Sequence, residues 1–206
     1  MRSRSAILER SVQLASRDGM EGLSIGSLAD DLGLHKSSVH ALFGSKDELQ
    51  LATLAQAREI LLSHVVAPGL ASDPGLPRLR RIGDAWCDYL AAEVFLGGCF
   101  LCAASAEMDG RPGPLRDAVA AVMGEWIGLL SANIRNAIER GGLRADTDPA
   151  AMAFRLNALG MAANWQKQLM DDPSGIENAR AAWRKELEMH SARPAPEARV
   201  PHGHVA

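Results

Sequence analysis

Two cysteines separated by two residues, Cys99 and Cys102, are the side chains whose spacing most directly suggests chemistry. A C-x-x-C pair can carry out thiol–disulfide exchange or bind a metal ion. The surrounding residues 94–104 are nearly all apolar, however, and buried thiols commonly pack as small hydrophobic groups. No second cysteine pair or suitably spaced histidine completes a zinc site. We therefore predict a packing role, and keep a small all-helical thiol enzyme or a redox sensor using these cysteines as the alternative.

Other catalytic signatures are absent from the sequence. A thiol enzyme would need a histidine and an acid beside its cysteines, but residues 103–109 contain no histidine and Glu93 is the only nearby upstream acid. There is no phosphate-binding loop ending in Lys-Ser or Lys-Thr, no H-E-x-x-H and no Gly-x-Ser-x-Gly. His202 and His204 are predicted to be solvated. We expect a protein that is not an enzyme, with no metal and no cofactor.

Residues 24–49 have the layout of two short helices joined by a tight turn and followed at once by a third, capped helix. Gly33 permits the sharp turn between the first two. The second helix is predicted over about residues 36–42, with Val39 and Phe43 on its buried side. A helix-turn-helix of this kind lays its second helix in the DNA major groove. The segment therefore predicts a DNA-binding regulator.

The neighbouring elements are also predicted to be helical. One helix covers about residues 5–17, and another covers about 46–64, where Ser45 and Glu48 have the spacing of a capping box. Residues 68–77 hold three prolines and two glycines, so we predict that the helix breaks there. This break separates a DNA-binding domain, residues 1–62, from a second domain, residues 78–190.

The second domain is predicted to be helical throughout, which makes the fold class all-α. Asp148 followed by Pro149 predicts one helix start, and Ser174 with Glu177 predicts another. Residues 191–206 contain three prolines and few large apolar side chains, and they are predicted to form a loose tail. The predicted helices cover about residues 78–95, 98–109, 115–140, 149–170 and 174–190.

Composition is consistent with a globular protein of the cytoplasm. Hydrophobic residues make up 47% of the chain, the net charge is −3, and three cysteines are too few for a disulfide framework. No apolar run is long enough to span a membrane, and no secretory signal is present. The proposed DNA-binding domain is not basic overall. A local basic edge is predicted from four arginines near the N-terminus, Arg2, Arg4, Arg10 and Arg17.

The first 60 residues resemble the TetR family of transcriptional regulators in the spacing of their apolar residues and glycines. A looser resemblance to part of the same family continues in the second domain, at residues 98–101, 111–114 and 164–166. The family fold has an N-terminal three-helix DNA-binding domain and a C-terminal helical body for ligand binding and dimerisation. The N-terminal resemblance is carried by Ile7-Leu8, Gly19, Leu28-Ala29, Gly33-Leu34, Lys36, Val39 and residues 43–49.

Carried over residue by residue, the resemblance makes the second helix of the helix-turn-helix the recognition helix. Lys46 would meet a DNA phosphate at the start of the next helix, and Ser24 and Ser27 would approach phosphates from the preceding one. The positions expected to face the groove are His35, Lys36, Ser37, Ser38 and His40.

Three positions depart from the family pattern. Family members usually have tyrosine where this chain has His40, often have histidine or tyrosine where it has Leu42, and frequently have a long polar residue where it has Ala41. These changes preserve the fold and the placement in the groove. They affect the phosphate contacts and the operator preference.

The resemblance also implies the partners: a near-palindromic DNA operator, and a small, fairly apolar effector that enters residues 78–170 and releases a repressor from the DNA. Aromatic and methionine side chains of this region suggest an apolar cavity with few polar anchors. The candidate lining residues are Trp86, Tyr89, Phe100, Met108, Met123, Trp126, Met161 and Trp165.

The last two helices are expected to pair with a second copy in a four-helix bundle, giving a homodimer. Such a dimer would place two recognition helices roughly 34–36 Å apart, about one turn of DNA. The residues predicted on the amphipathic faces are Met152, Leu156, Leu159, Ala163, Trp165, Gln166, Leu169, Ile176, Ala179, Trp183 and Leu187.

Overall fold

The computed structural model describes residues 3–192, and this part of the chain contains helices but no β-strand. The predicted all-α fold class is confirmed. None of the helices in the described range is long and apolar enough to cross a membrane. The helices are α1 Arg4–Asp18, α2 Ile25–Leu32, α3 Lys36–Phe43, α4 Lys46–Leu61, a π-helical stretch Leu62–Val66, α5 Ala67–Leu70, α6 Leu76–Ala91, α7 Phe100–Met108, α8 Pro114–Glu139, α9 Pro149–Met170 and α10 Ser174–Met189.

The three N-terminal helices enclose a small core. Leu28 and Ala29 of α2 and Val39 of α3 are fully buried, as their spacing predicted. Helix α1 is fixed to α4 by a buried hydrogen bond of 2.9 Å between the hydroxyls of Ser11 and Thr53. Because the apolar sides of α2 and α3 face this core, the polar side of α3 is left on the surface.

The helix breaks within residues 68–77, as predicted, but the break begins after Leu70 and not at Pro68. The chain stays helical from α4 through the π-helical stretch and α5, and it leaves the helix only after Leu70. Pro68 lies in the first turn of α5, directly after the π-helical stretch, where the amide of Ala67 already bonds five residues back to Leu62. A proline at the start of a helical segment lacks an N–H that is largely dispensable there, so it does not force a break.

The helix predicted over residues 78–95 is too long. Helix α6 ends at Ala91, and residues 92–99 form a connecting loop. Glu93 adopts a positive φ of 51°, which ends the helix. Phe95 then turns into the core between Tyr89 and Phe100, with ring centroids 6.1 and 5.7 Å away. The buried Phe95 ring therefore anchors the α6–α7 loop to the core.

Of the three helix caps predicted from the sequence, one is present in full, one in part and one is absent. The Asp148 carboxylate accepts hydrogen bonds from the first amides of α9, as predicted. Ser45 caps α4 through the amide of Glu48, but the Glu48 carboxylate accepts from the Ser45 hydroxyl instead of its amide, so only half of the capping box is present. Ser174 is not a cap: it is the first residue of α10, and its amide donates to Asp172.

The first two residues of the predicted tail are fixed. Ser191 forms an isolated antiparallel bridge with Leu143, and the amide of Ala192 donates to Gly142 at 3.1 Å. These bonds hold the end of α10 against the α8–α9 turn. The rest of the predicted tail, including His202 and His204, lies outside the described residues.

Candidate nucleic-acid interface and ligand pocket

Helix α3 presents a continuous polar face at the surface. All five predicted groove-facing residues are exposed, while Val39 and Phe43 anchor the helix from the other side. Of the departures from the family pattern, Ala41 is exposed and Leu42 is partly buried against the core. The exposed face consists of His35, Lys36, Ser37, Ser38 and His40.

A shallow concavity of about 680 Å³ lies between the start of α2 and this face of α3. Ser24, Lys36, Ser37 and His40 line it together, although Ser24 lies on the preceding element. Gly26 lies close to Lys36 in this concavity, since a Cβ atom there would be 3.3 Å from the Lys36 ammonium nitrogen. Four of the residues predicted to contact DNA are therefore grouped on one surface.

Ser24 and Ser27 form a reciprocal cap at the start of α2. The Ser24 hydroxyl accepts from the Ser27 amide at 3.0 Å, and the Ser27 hydroxyl accepts from the Ser24 amide at 2.9 Å. The two side chains are thus held at the N-terminus of α2, where the helix dipole favours an anion. Lys46 is less free than its sequence position suggested, since its ammonium group is bonded to the carbonyl and carboxylate of Glu21.

The predicted basic edge of α1 is largely neutralised within the described part of the chain. Arg10 forms a bidentate pair with Asp31, at 2.6 and 2.7 Å, and Arg17 pairs with Asp18. The guanidinium of Arg4 lies 5.1 Å from the centre of the Phe43 ring. Sequence counting could not show this, because the acid that neutralises Arg10 lies 21 residues away. Arg2 lies outside the described residues.

A junction that sequence reasoning missed joins the DNA-binding domain to the helical body. The Gln13 amide group bridges the carbonyl of Val94 and the amide of Leu96 at 2.8 and 2.9 Å. The Ser16 hydroxyl accepts from the amide of Gly97 at 3.2 Å. Helix α1 is therefore bonded to the α6–α7 loop through two side chains whose partners are more than 80 residues away.

The α7 helix makes a second bond to the DNA-binding domain. The carboxylate of Glu107 accepts from the amides of Met20 and Glu21, at 2.7 and 2.9 Å. These amides belong to the turn between α1 and α2, so Glu107 joins α7 directly to the segment that leads into the helix-turn-helix. No local pattern around Glu107 indicated this role, because its partners are 86 and 87 residues distant.

The predicted ligand residues do not line one cavity. Trp86, Met123 and Trp126 surround a small apolar void of about 10 Å³ between α6, α7 and α8. Met108, Met123 and Met161 line an adjoining surface cleft of about 320 Å³. Tyr89 and Phe100 are buried in the core around Phe95 and line neither space. Trp165 is 55% exposed on the outside of α9, so its assignment to the pocket is wrong.

The two cysteines lie at the wall of the small void. Cys99 precedes α7, its amide donates to the side-chain oxygen Oδ1 of Asn164 at 2.7 Å, and both thiols are buried. A hydrogen bond with Cys102 lowers the pKa of Cys99, whereas that bond and burial raise the pKa of Cys102. Burial raises the pKa of Cys87 to about 11. The cysteines are therefore packed groups inside the body.

Burial predicts that the thiols of the native protein react poorly. Ellman's reagent is a bulky dianion, and it cannot reach a buried sulfur without local opening. We expect native protein at pH 7.5 to release thionitrobenzoate at least a hundredfold more slowly than protein in 8 M urea, where all three cysteines should react. One thiol that reacts at the unfolded rate in native protein would contradict this expectation and would favour the thiol-enzyme alternative.

The predicted dimerisation faces are also partly corrected. Met152, Leu156, Ala163, Ile176, Ala179, Trp183 and Leu187 are buried inside the chain, where α9 and α10 pack on each other and on the body. Trp165 and Leu169 of the predicted face are instead exposed, and with Phe154, which was not predicted, they form an outward apolar stripe of α9. The exposed fractions of Phe154, Trp165 and Leu169 are 72%, 55% and 69%.

Comparisons with known proteins agree with this geometry. Residues 7–53 match the family described as bacterial regulatory proteins, tetR family, and residues 75–183, more than half of the chain, match the tetracyclin repressor-like C-terminal domain. No functionally curated protein matches the sequence.

Solved structures with the same fold cover nearly the whole chain. A TetR transcriptional regulator from Chloroflexus aurantiacus has a TM-score of 0.84 at 21% identity, over 91% of this chain and 95% of its own. One from Cytophaga hutchinsonii has a TM-score of 0.83 at 20% identity, over 93% and 96%. A putative regulator from Saccharomonospora viridis, solved in complex with choline, has a TM-score of 0.73 at 21% identity, over 93% and 98%.

An exposed recognition helix on a three-helix unit, joined to a helical body, defines a helix-turn-helix DNA-binding regulator. The chain belongs to the TetR family of transcriptional regulators.

Proposed function

We propose that this regulator is a homodimeric repressor that leaves its operator when a small, fairly apolar effector binds the helical body. The observation that supports operator binding most directly is the exposed polar face of α3 beside the capped start of α2. Lysine and histidine can donate to base edges in the major groove, and serine hydroxyls can bond bases or phosphates. Residues 1–62 would act as the DNA-binding domain and residues 78–190 as the effector-binding and dimerisation domain.

The exposed stripe of α9 supports a homodimer. Large apolar side chains that are more than half exposed on one helix face are typical of a surface covered by a partner. A second copy supplies the same surface by two-fold symmetry and doubles the number of recognition helices. Two copies in this arrangement match a palindromic operator.

The α1–α7 junction supports effector control. A structural neighbour was solved in complex with choline, so a protein of this fold can bind a small molecule. In this chain, Glu107 and Gln13 transmit any shift of α7 or of the α6–α7 loop to α1 and the following turn. An effector that binds a shifted form more tightly than the DNA-bound form would weaken operator binding by that difference in affinity.

Operator binding can be tested with the DNA upstream of the gene that encodes the protein. Fluorescence anisotropy should detect a specific complex whose affinity falls steeply between 50 and 200 mM salt, because phosphate contacts release counterions. The double variant Lys36→Ala/His40→Ala should bind about ten- to a hundredfold more weakly, since each lost base contact costs about 1–3 kcal/mol.

The matched control is Arg80→Ala, which removes one positive charge from an exposed position of α6 in the helical body. It should leave the operator affinity within about twofold. If the double variant binds like Arg80→Ala, operator recognition through α3 is ruled out. If wild type forms no specific complex with this DNA, either the operator lies elsewhere or the thiol-enzyme alternative is favoured.

A further inference from the structure

The indole nitrogen of Trp86 is an unusual feature of the body. Trp86 is 4% exposed, and its buried N–H has no acceptor among the described residues. The two tryptophans beside it differ: Trp126 donates to the Asn157 side chain at 3.1 Å, and Trp183 donates to the Leu79 carbonyl at 3.0 Å. Buried polar groups are nearly always paired, and an unpaired one costs about 1–3 kcal/mol.

Trp86 lines the small void between α6, α7 and α8, together with Trp126 and Asn157. The two indole rings meet edge to face, with centroids 5.0 Å apart and planes at 73°. Asn157 has one further donor that is weakly used, because its amide nitrogen bonds only the sulfur of Met161 at 3.3 Å. The void is thus walled by apolar, largely aromatic surface, and two residues that line it, Trp86 and Asn157, carry N–H donors without a strong acceptor.

The lining of the void favours an uncharged occupant. It contains leucine, tryptophan, cysteine, methionine and asparagine, and no Lys, Arg, His, Asp or Glu. A charged ligand would lose its hydration without gaining a counter-charge, which is strongly unfavourable. A flat apolar group fits beside perpendicular indoles, where both edge and face contacts are available.

The void itself holds about 10 Å³, so a ligand must enlarge it. Met123 separates the void from the 320 Å³ cleft between α7 and α8, since its side chain lines both spaces. Methionine is unbranched and changes rotamer easily, so its movement would join the two spaces. Their combined volume falls within the range of small-molecule sites. The cleft is also lined by Asp109 and Arg116, but both are exposed at its surface, so the buried part of the joined site contains no charged side chain.

From these observations we infer that the effector is a neutral, largely aromatic molecule whose single carbonyl or ether oxygen accepts the Trp86 N–H, with Met123 as the movable wall. This inference rests on the proposed function, in that it names the effector class of the same body. Its site borders α7, which carries Glu107, so opening the void displaces the helix that holds the α1–α2 turn.

Three probes of similar size separate the contributions of shape, acceptor and charge. Acetophenone has a ring and one carbonyl, ethylbenzene lacks the acceptor, and benzoate is charged. Calorimetric titration of the full-length protein should show acetophenone binding about tenfold more tightly than ethylbenzene, as expected for pairing a buried donor. Benzoate should bind least.

The variant Trp86→Phe keeps an aromatic ring and removes the N–H. It should lower acetophenone affinity about tenfold, to that of ethylbenzene, and change ethylbenzene affinity by less than about threefold. Retained ethylbenzene binding shows that the variant pocket is folded. Equal binding of acetophenone and ethylbenzene to wild type, preference for benzoate, or no binding of any probe at millimolar concentration would each overturn the inference.

Operator affinity measured on the same protein preparations keeps the two proposals separate. A protein that binds its operator but none of the probes remains a repressor whose effector site is elsewhere. A protein that binds acetophenone through Trp86 without binding the operator retains the pocket and loses the repressor assignment. When both hold, saturating acetophenone should weaken operator binding.

Discussion

Substitution of Gly97 by alanine is expected to destabilise the protein by about 2–4 kcal/mol and to lower operator affinity. A Cβ atom at this position would overlap the main-chain carbonyl of Ser16 in α1. A backbone carbonyl cannot rotate away as a side chain can, so α1 and the α6–α7 loop must separate. Separation would break the bond from the Gly97 amide to Ser16 and strain both bonds of the adjacent Gln13.

The matched control is Gly110→Ala, because a Cβ atom there would meet nothing within 4 Å and the residue does not have a positive φ. Thermal unfolding and operator anisotropy should be measured for both variants. The melting temperature should fall by several degrees for Gly97→Ala and by less than about 2 °C for Gly110→Ala. If Gly97→Ala melts and binds DNA like the control, the α6–α7 loop does not hold α1 in its DNA-binding position.

Local patterns were sufficient for the recognition unit. Val39 and Phe43 recur at helical spacing, Gly33 permits the turn, and Ser24 caps α2, so the orientation of α3 follows from residues that are close in sequence. The same is true of Asp148 at the start of α9. Each of these elements is fixed by interactions within about one or two helical turns.

Predictions failed where a distant contact decided the outcome. The chain remains helical at Pro68 because the preceding π-helical stretch changes the hydrogen-bond pattern there, so that the missing proline N–H breaks no bond. Gly69 is also packed directly against Ile82. Trp165 was assigned to the pocket because its residue type suits a core, but hydrophobic type alone does not tell which side of α9 is covered.

The ligand pocket was predictable only in composition. Trp86, Trp126 and Met123 do line one void. The group that would bind a polar atom of a ligand, however, is the unpaired N–H of Trp86. Whether an indole nitrogen has an acceptor depends on the positions of neighbouring helices, and a sequence carries no local signal for it. The same holds for Glu107, whose role depends on the turn that it contacts.

Introducing a carboxylate on the outer face of α9, by Trp165→Glu, is expected to convert the dimer to the 22.0 kDa monomer. Two-fold symmetry would place the new charge in the interface twice, and an unpaired buried charge costs several kcal/mol. A monomer engages one half-site at a time. In the dimer, binding of one half-site raises the effective concentration of the second DNA-binding domain at the other half-site. The monomer loses this gain, so operator affinity should fall by about 10²–10⁴-fold.

The matched control is Leu70→Glu, which makes the same kind of change at a 50% exposed leucine at the end of α5, away from α9. Light scattering after size exclusion should give a dimer for Leu70→Glu and wild type, and a monomer for Trp165→Glu. Because Trp165 is on the surface, the variant should keep its helical circular dichroism, which separates loss of dimerisation from loss of folding. A Trp165→Glu protein that stays dimeric would place the interface on another face, and a monomer that binds the operator at full affinity would show that recognition by α3 does not require a second copy.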